Sequence, residues 1–490
     1  MDPLLAPLTP AQRVAVEHID GPLLILAGPG SGKTRTITHR IANLLRQGVP
    51  ARQIVALTFT NKAVDEMRSR VEAMAAGEMI WVSTFHRFGA NLLRKYASLV
   101  GIDERFTIYD TDDSRQVPRR VLEEMDLVGP HCGPERIAAA IRGAKNRLVT
   151  ADEYRPRGND PTEEVTAIVY PEYQARLLAS SAVDFDDLLL HLAVLLRNNP
   201  ALRATLDDHF RYVLVDEYQD TNLAQYVILR AISSDHPNLA VTGDPDQSIY
   251  GWRGANISNI LDFEADYPQA CVVRLEQNWR STQRILRVAD RLILHNRRRK
   301  PKTLVTDNEE GKPVGVVAYA TEQEEAEGIA AAIAESIRST GRSPADFAIF
   351  YRVNALSRPL EIALSDQGVP YKLIHAVEFY RRKEVRDILA YAQLINNPRD
   401  DVAFLRIVNT PARGIGQRTL ERVAQHSAGK QFPLLAAARE SGRITSLPKR
   451  SATGITRFVR LYDLLSEYAS GPVEDLLRKI VAETKYRKQF

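Results

Sequence analysis

Residues 23–34, LLILAGPGSGKT, decide how the rest of the chain is read. Four apolar residues, Leu23 to Leu26, lead into a turn holding Gly28, Gly30 and Gly32, and a helical pattern starts at Lys33. Strand, glycine-rich loop and helix in this order form a cradle for nucleotide phosphates, because glycines let backbone N–H groups turn inward at a helix N-terminus. Ala27, Gly28, Pro29, Gly30, Ser31, Gly32, Lys33, Thr34 and Arg35 are therefore the candidate phosphate-binding stretch. Lys33 reaches the β/γ-phosphates and the Thr34 hydroxyl holds Mg²⁺. The usual pattern G-x-x-x-x-G-K-[ST] asks for glycine at position 27, where this chain has Ala27.

A second centre lies at residues 212–217, YVLVDE. A β-branched strand delivers two adjacent carboxylates at its end. Asp216 suits the metal of a bound nucleotide, and Glu217 suits activation of a water. Phosphate loop and strand-end Asp-Glu together indicate hydrolysis rather than phosphoryl transfer to a small acceptor. A third strand, residues 239–242, runs into GDPDQSIYGWRG, residues 243–254. There Gln247 is placed to sense a γ-phosphate, and Tyr250 and Trp252, with Arg253 beside them, to stack bases. In residues 275–281, LEQNWRS, Trp279 can stack an adenine and Arg280 can neutralise a γ-phosphate.

Other polar clusters follow strand patterns. Phe59 and Asn61 lie in TFTNK, residues 58–62, and His86 in STFH, residues 83–86. Such edges suit single-stranded nucleic acid, although Phe59 reads equally as core and His86 as a hydrogen-bonded structural histidine. Gln12 offers an amide that could read an adenine edge, or simply faces solvent from its helix. Residues 183–189, VDFDDLL, resemble a metal cluster, but helix capping explains them better. Gly414, Ile415 and Gly416 either present N–H groups to a phosphate or turn the chain between helices. The basic residues Arg142 and Lys145 fall in a helical stretch, as phosphate contacts or a solvated face, and the run 296–302, NRRRKPK, reads as a DNA contact or a solvated helix end.

Composition is that of an ordinary globular chain of 490 residues, 44% hydrophobic and 26% charged, with a net charge of +4 that does not by itself imply nucleic acid. No apolar run approaches the ~18 residues that span a bilayer. Two isolated cysteines, Cys132 and Cys271, form neither a zinc pattern nor a disulfide framework, which suits a reducing cytoplasm. Strand and helix patterns alternate up to about residue 90 and from 196, with helical periodicity between. A second α/β unit, with strands at 314–319, 347–351 and 371–374 and helices at 323–339 and 356–367, precedes a further helical stretch from Phe379, which carries Arg381 near its start.

AGPGSGKT, TFTNKA, STFH, VDEYQD, GDPDQSIYGWRGA, QNWRS and NTPARGIG occur in that order, and the chain resembles the UvrD/Rep/PcrA family of superfamily 1 DNA helicases. The resemblance implies an α/β fold of two RecA-like parallel-sheet cores, the second incomplete here, each with a helical insertion. Residues 1–90 plus 196–278 form the first core, 91–195 its insertion, 279–378 the N-terminal part of the second core, and 379–490 a partial second insertion. It implies ATP and Mg²⁺ as cofactors, and single-stranded DNA and single-strand/duplex junctions as partners. Protein partners in repair, no membrane, a monomer or weak dimer, and a cytoplasmic, nucleoid-associated location also follow from it.

By position, Gln12 and Trp279 meet the adenine, and Lys33, Thr34, Asp216 and Glu217 carry the phosphate chemistry. Gln247 links ATP to DNA, Arg280 is an arginine finger, and Phe59, Tyr250 and Trp252 stack bases. Gly414, Ile415 and Gly416 contact a duplex backbone. The expected activity is 3′ to 5′ translocation and unwinding. The motifs that carry a second arginine finger do not occur after Gly416. A finger is worth about 10³–10⁵ in rate. A truncated chain that serves as an ATP-clamped DNA-binding module with weak unwinding is therefore the alternative expectation.

Overall fold

Strand β1, Leu23–Ala27, is buried along its whole length, as are β2, Ile54–Thr58, and β7, Leu239–Gly243. Continuous burial is the mark of a parallel strand covered on both faces. With β3, Trp81–Thr84, β6, Tyr212–Val215, and β8, Cys271–Leu275, they form one parallel sheet in the order β3-β2-β6-β7-β1-β8. The computed structural model describes residues 2–129, 132–374, 380 and 382–486.

Alternation along each strand sends side chains to two helical layers. Leu24, Leu26, Val55, Leu57, Val213, Val215 and Val241 pack with Phe88, Leu192 and Ile228 on one face. Leu23, Ile25, Ala27, Ile54, Ala56, Leu214 and Ala240 pack with Ile37, Ile41, Val64 and Met67 on the other. Six parallel strands thus end on one edge, and the motifs at Gly28–Lys33, Phe59–Asn61, His86, Asp216–Glu217, Gln247–Trp252 and Trp279–Arg280 follow those ends. That edge is where open α/β sheets bind ligands.

The stretch between β3 and β6 is mainly helical, with its own core of Val121, Ile137, Ile141, Val169 and Tyr170. It also holds two short parallel strands, β4, Thr107–Tyr109, and β5, Ala182–Asp184, which the helical periodicity of the sequence hides. From Asp387 onward, helices gather around Phe404, Ile407, Phe458 and Leu465. This helical part is tied to β4 and β5: Asn397 Nδ2 donates to Thr107 Oγ1 at 3.0 Å and to the Ser180 and Ser181 carbonyls at 2.9 and 3.0 Å. The Tyr109 hydroxyl donates to Asp400 Oδ1 at 2.9 Å.

The chain divides into two compact units, Met1–Gly311 with Asp387–Phe490, and Lys312–Arg386. In the second, helices Glu322–Thr340 and Ser357–Asp366 pack Ala326, Ala330 and Ala334 against Ala363 and Leu364. Both helices were legible in the sequence. The three strands expected at 314–319, 347–351 and 371–374 are not strands in the structure. A helix closes its hydrogen bonds within itself, whereas a strand needs a neighbour. Among the described residues those stretches have no ladder partner, and Val316 and Phe350 are exposed. Phe379 and Arg381, the expected start of the last helical stretch, and the final residues 487–490 lie outside the described residues. No helix among the described residues is long and apolar enough to cross a membrane.

Candidate functional site

The phosphate loop follows β1 directly. Ala27 ends the strand with its methyl in the core, so its side chain faces away from the loop. Gly30 and Gly32 both have positive φ, +67° and +87°, and Gly32 caps helix α2, Lys33–Arg46. A side chain at Gly32 would meet Gln12 Nε2 at 2.6 Å. Ser31 Oγ donates to the Gly28 carbonyl at 2.7 Å, which closes the turn. Thr34 is half-buried and Arg35 exposed at the start of α2.

Gln12 is buried. Its Oε1 accepts from Thr9 N in a capping box, and its Nε2 donates to the Ser31 carbonyl at 3.0 Å. It does not face solvent: the amide ties helix α1, Pro10–Glu17, to the phosphate loop.

Lys33 Nζ lies 2.9 and 2.7 Å from Glu217 Oε1 and Oε2. Glu217 follows β6 in a left-handed conformation, φ 54° and ψ 43°, a backbone cost of about 1–3 kcal/mol that persists only where the surroundings hold it. Asp216 is buried, accepts the Glu217 N–H on Oδ1, and is pushed up to about 7 by burial and by the neighbouring Glu217 charge. A buried carboxyl next to the Glu217 carboxylate offers the hard-oxygen chemistry that Mg²⁺ takes, and the Thr34 hydroxyl at the start of α2 is of the same kind.

Sequence reasoning missed three residues that build this centre. Gln219, 1% exposed, donates to Glu217 Oε2 at 2.9 Å and accepts from Asp244 N at 3.0 Å. Asp244, equally buried, accepts from Gln247 Nε2 at 2.7 Å, so the Gln247 amide is held by its own loop. Asn278 pins the QNWRS turn to the phosphate loop: Nδ2 donates to the Pro29 carbonyl at 2.6 Å, and Oδ1 accepts from Arg280 N and Ser281 N. Trp279 N donates to the Gly30 carbonyl at 2.9 Å, leaving the indole and the Arg280 side chain exposed beside the loop. The available signal was polarity at positions that a strand–loop edge leaves half in the core.

Three side chains of the basic run are ion-paired, while Arg297 and Arg298 are exposed. Lys302 pairs with Asp244 and Asp246, Arg299 with Asp246 at 3.0 Å, and Lys300 with Glu264. Lys145 is no phosphate contact. It is buried, 2.7 Å from both Asp184 and Asp187, which cap each other's backbone N–H groups. No group of three or more metal-ligating side chains occurs among the described residues, so VDFDDLL is a capped helix start with a buried lysine.

A cavity of about 540 Å³ opens beside these strand ends, lined by Phe59, His86, Tyr250 and Trp252 with Arg142, Asp186, Asp220 and Asn222. Phe59 is half-buried and also packs on Phe85, with ring centroids 5.6 Å apart, so it serves core and cavity at once. Burial lowers the His86 pKa, which favours a neutral imidazole. Trp252 is 64% exposed and Tyr250 40%. Asn61 begins the helix after β2 at the same edge. The Arg253 side chain lies outside what the structure describes.

The residues 414–416 divide. Gly414 has φ +74° and Gly416 caps the helix Gln417–Lys430, and a Cβ at either would meet nothing within 4 Å. Ile415 is 2% exposed and its N–H donates to Asn409 Oδ1 at 3.2 Å. Its side chain belongs to the helical core, so the expected ligand contact does not extend to it: a β-branched residue between two glycines is the hydrophobic anchor of the turn.

Comparison with known proteins places this geometry. Residues 8–268 match the UvrD/REP helicase N-terminal domain, and residues 273–440 match the UvrD-like helicase C-terminal domain. The chain is 41% identical over 494 residues to the ATP-dependent DNA helicase PcrA of Bacillus subtilis (strain 168), covering 99% of this chain and 66% of that protein. To the PcrA of Leuconostoc citreum it is 41% identical over 486 residues, covering 98% and 65%. To that of Staphylococcus epidermidis (strain ATCC 35984) it is 39% identical, covering 99% and 67%. The chain thus spans about two thirds of the length of these relatives.

Proposed function

Since the chain belongs to the UvrD/REP helicase family, we propose that it binds ATP at the phosphate loop and couples hydrolysis to 3′ to 5′ movement along single-stranded DNA held in the aromatic-lined cavity. The single observation that carries this reading is the pairing of Lys33 with Glu217 at one sheet edge that also opens onto Tyr250, Trp252 and Phe59. The work assigned is repair or replication, with single-strand/duplex junctions as substrate. The proposed division keeps residues 1–90 with 196–278 as the first core, 91–195 and 379–490 as helical insertions, and 279–378 as part of the second core.

In this mechanism a triphosphate in the loop competes with Glu217 for Lys33, and the loop's backbone N–H groups take up further phosphate charge. Released from the lysine, the Glu217 carboxylate accepts a proton from the attacking water, whose oxygen bonds to the γ-phosphorus as the bond to the bridging oxygen breaks. Thr34 and Asp216 would hold Mg²⁺, which would supply charge neutralisation for the phosphates. Arg280 approaches from the turn pinned by Asn278, and Gln247 shifts from Asp244 toward the γ-phosphate. On the other side Phe59, Tyr250 and Trp252 stack successive bases, each such contact being worth about 1–3 kcal/mol and indifferent to sequence.

Strand release from a duplex bearing a 3′ single-stranded tail, compared with one bearing a 5′ tail, tests the direction. ATP-dependent release from the 3′-tailed substrate is expected; equal release from both, or preference for the 5′ tail, contradicts it.

A further inference from the structure

We propose that Gln219 and Asp220 connect the cavity to the phosphate site, with Gln219 as a positioning residue for Glu217 and Asp220 as its partner on the DNA side. This inference rests on the reading of the two sites given above.

The Gln219 side chain bonds to a residue of each site. Its Nε2 donates to Glu217 Oε2 at 2.9 Å and to Asp220 Oδ2 at 3.4 Å, while Oε1 accepts from Asp244 N, next to the anchor of Gln247. A carboxamide supplies two N–H donors and an acceptor from one rigid plane, which neither a carboxylate nor a hydroxyl can do. The surrounding backbone is shaped around it: a Cβ at position 243 would fall 2.5 Å from Gln219 Oε1, so Gly243 at the end of β7 is what admits the amide. Glu217, in its left-handed conformation, is then held by Lys33 on one side and Gln219 on the other.

Asp220 faces the cavity beside Phe59, Tyr250 and Trp252. Its Oδ1 is buried and has no hydrogen-bond partner. Such an orphaned acceptor is costly unless something fills it. Burial, then the Glu217 charge, raise this carboxyl to about 6, in keeping with an acceptor that lacks a donor. A base edge offering an N–H, such as thymine N3, supplies that donor. As Asp220 turns to it, the weaker 3.4 Å bond is the one given up, and the Gln219 amide passes wholly to Glu217. An occupied cavity thereby sets the position of the carboxylate that activates water.

The test is a coupling factor: the ratio of affinities of the full chain for a labelled oligodeoxythymidylate with and without a nonhydrolysable ATP analogue and Mg²⁺, read by fluorescence anisotropy. Linkage makes this factor the same whichever ligand is varied. The unsubstituted chain should show a factor of about five or more. Gln219→Met and Asp220→Ala should each bring it to within about twofold of unity, while the affinity for each ligand alone changes less than the coupling does. Variants that keep the original factor overturn the link, as does a loss that consists only of equally weakened binding of each ligand. An unsubstituted chain that binds neither ligand, or binds both without coupling, overturns the underlying reading of the sites and the link with it.

Discussion

Two glycine-bearing loops at helix N-termini, residues 28–32 and 414–416, differ in what asks for the glycine. In the first, side chains crowd in. A Cβ at Gly28 would run into Leu304, one at Gly30 would lie 2.7 Å from Arg280 Cβ and 2.9 Å from Asn278 Nδ2, and one at Gly32 would meet Gln12. In the second, Gly414 and Gly416 face open space, and Gly416 has φ −89°, which any residue adopts. The fold itself requires the first set. Gly414, at φ +74°, needs glycine for its backbone, but nothing within the described residues requires Gly416; on the proposed reading its bare backbone admits a DNA backbone.

Substitutions can break this contrast. Gly30→Ala should have the largest effect on stability: about 1–2 kcal/mol from the left-handed backbone and a further ~1–3 kcal/mol from overpacking against Arg280 and Asn278, seen as a lowered urea midpoint. Asn278→Ala should follow, at about 1–3 kcal/mol, because it leaves the Pro29 carbonyl and the Arg280 and Ser281 N–H groups without their partner. It should also weaken ATP binding, since the turn carrying Trp279 and Arg280 comes loose from the loop. Gly416→Ala should change stability by no more than about 0.5 kcal/mol yet weaken binding to duplex DNA several-fold in a filter or anisotropy assay. A large loss of stability in Gly416→Ala, or none in Gly30→Ala, would undo the comparison.

The same division explains what could be read from the sequence. The phosphate loop, the Asp216–Glu217 pair and the strands of the large sheet other than β8 were legible because a buried parallel strand writes a continuous apolar run and its polar motif follows at once. The strands expected at 314–319, 347–351 and 371–374 show the limit: an apolar run records a propensity to pair, and pairing depends on a neighbour that the run cannot specify. Charged residues were harder still. Lys145, Arg299 and Lys302 read as phosphate contacts or solvated charges, yet each is turned onto carboxylates distant in sequence. Gln12, Gln219 and Asn278 were opaque as positioning groups for a related reason, since an amide's role is set by partners that only the fold assembles.

The central claim is that Lys33 anchors an ATP site whose turnover answers to single-stranded DNA. Phosphate release by the purified chain, with and without oligodeoxythymidylate and compared with Lys33→Ala, tests it most directly. The account predicts turnover that rises on adding the oligonucleotide and disappears in Lys33→Ala while the variant stays folded. Turnover that is the same in Lys33→Ala, or indifferent to the oligonucleotide in the unsubstituted chain, would contradict it.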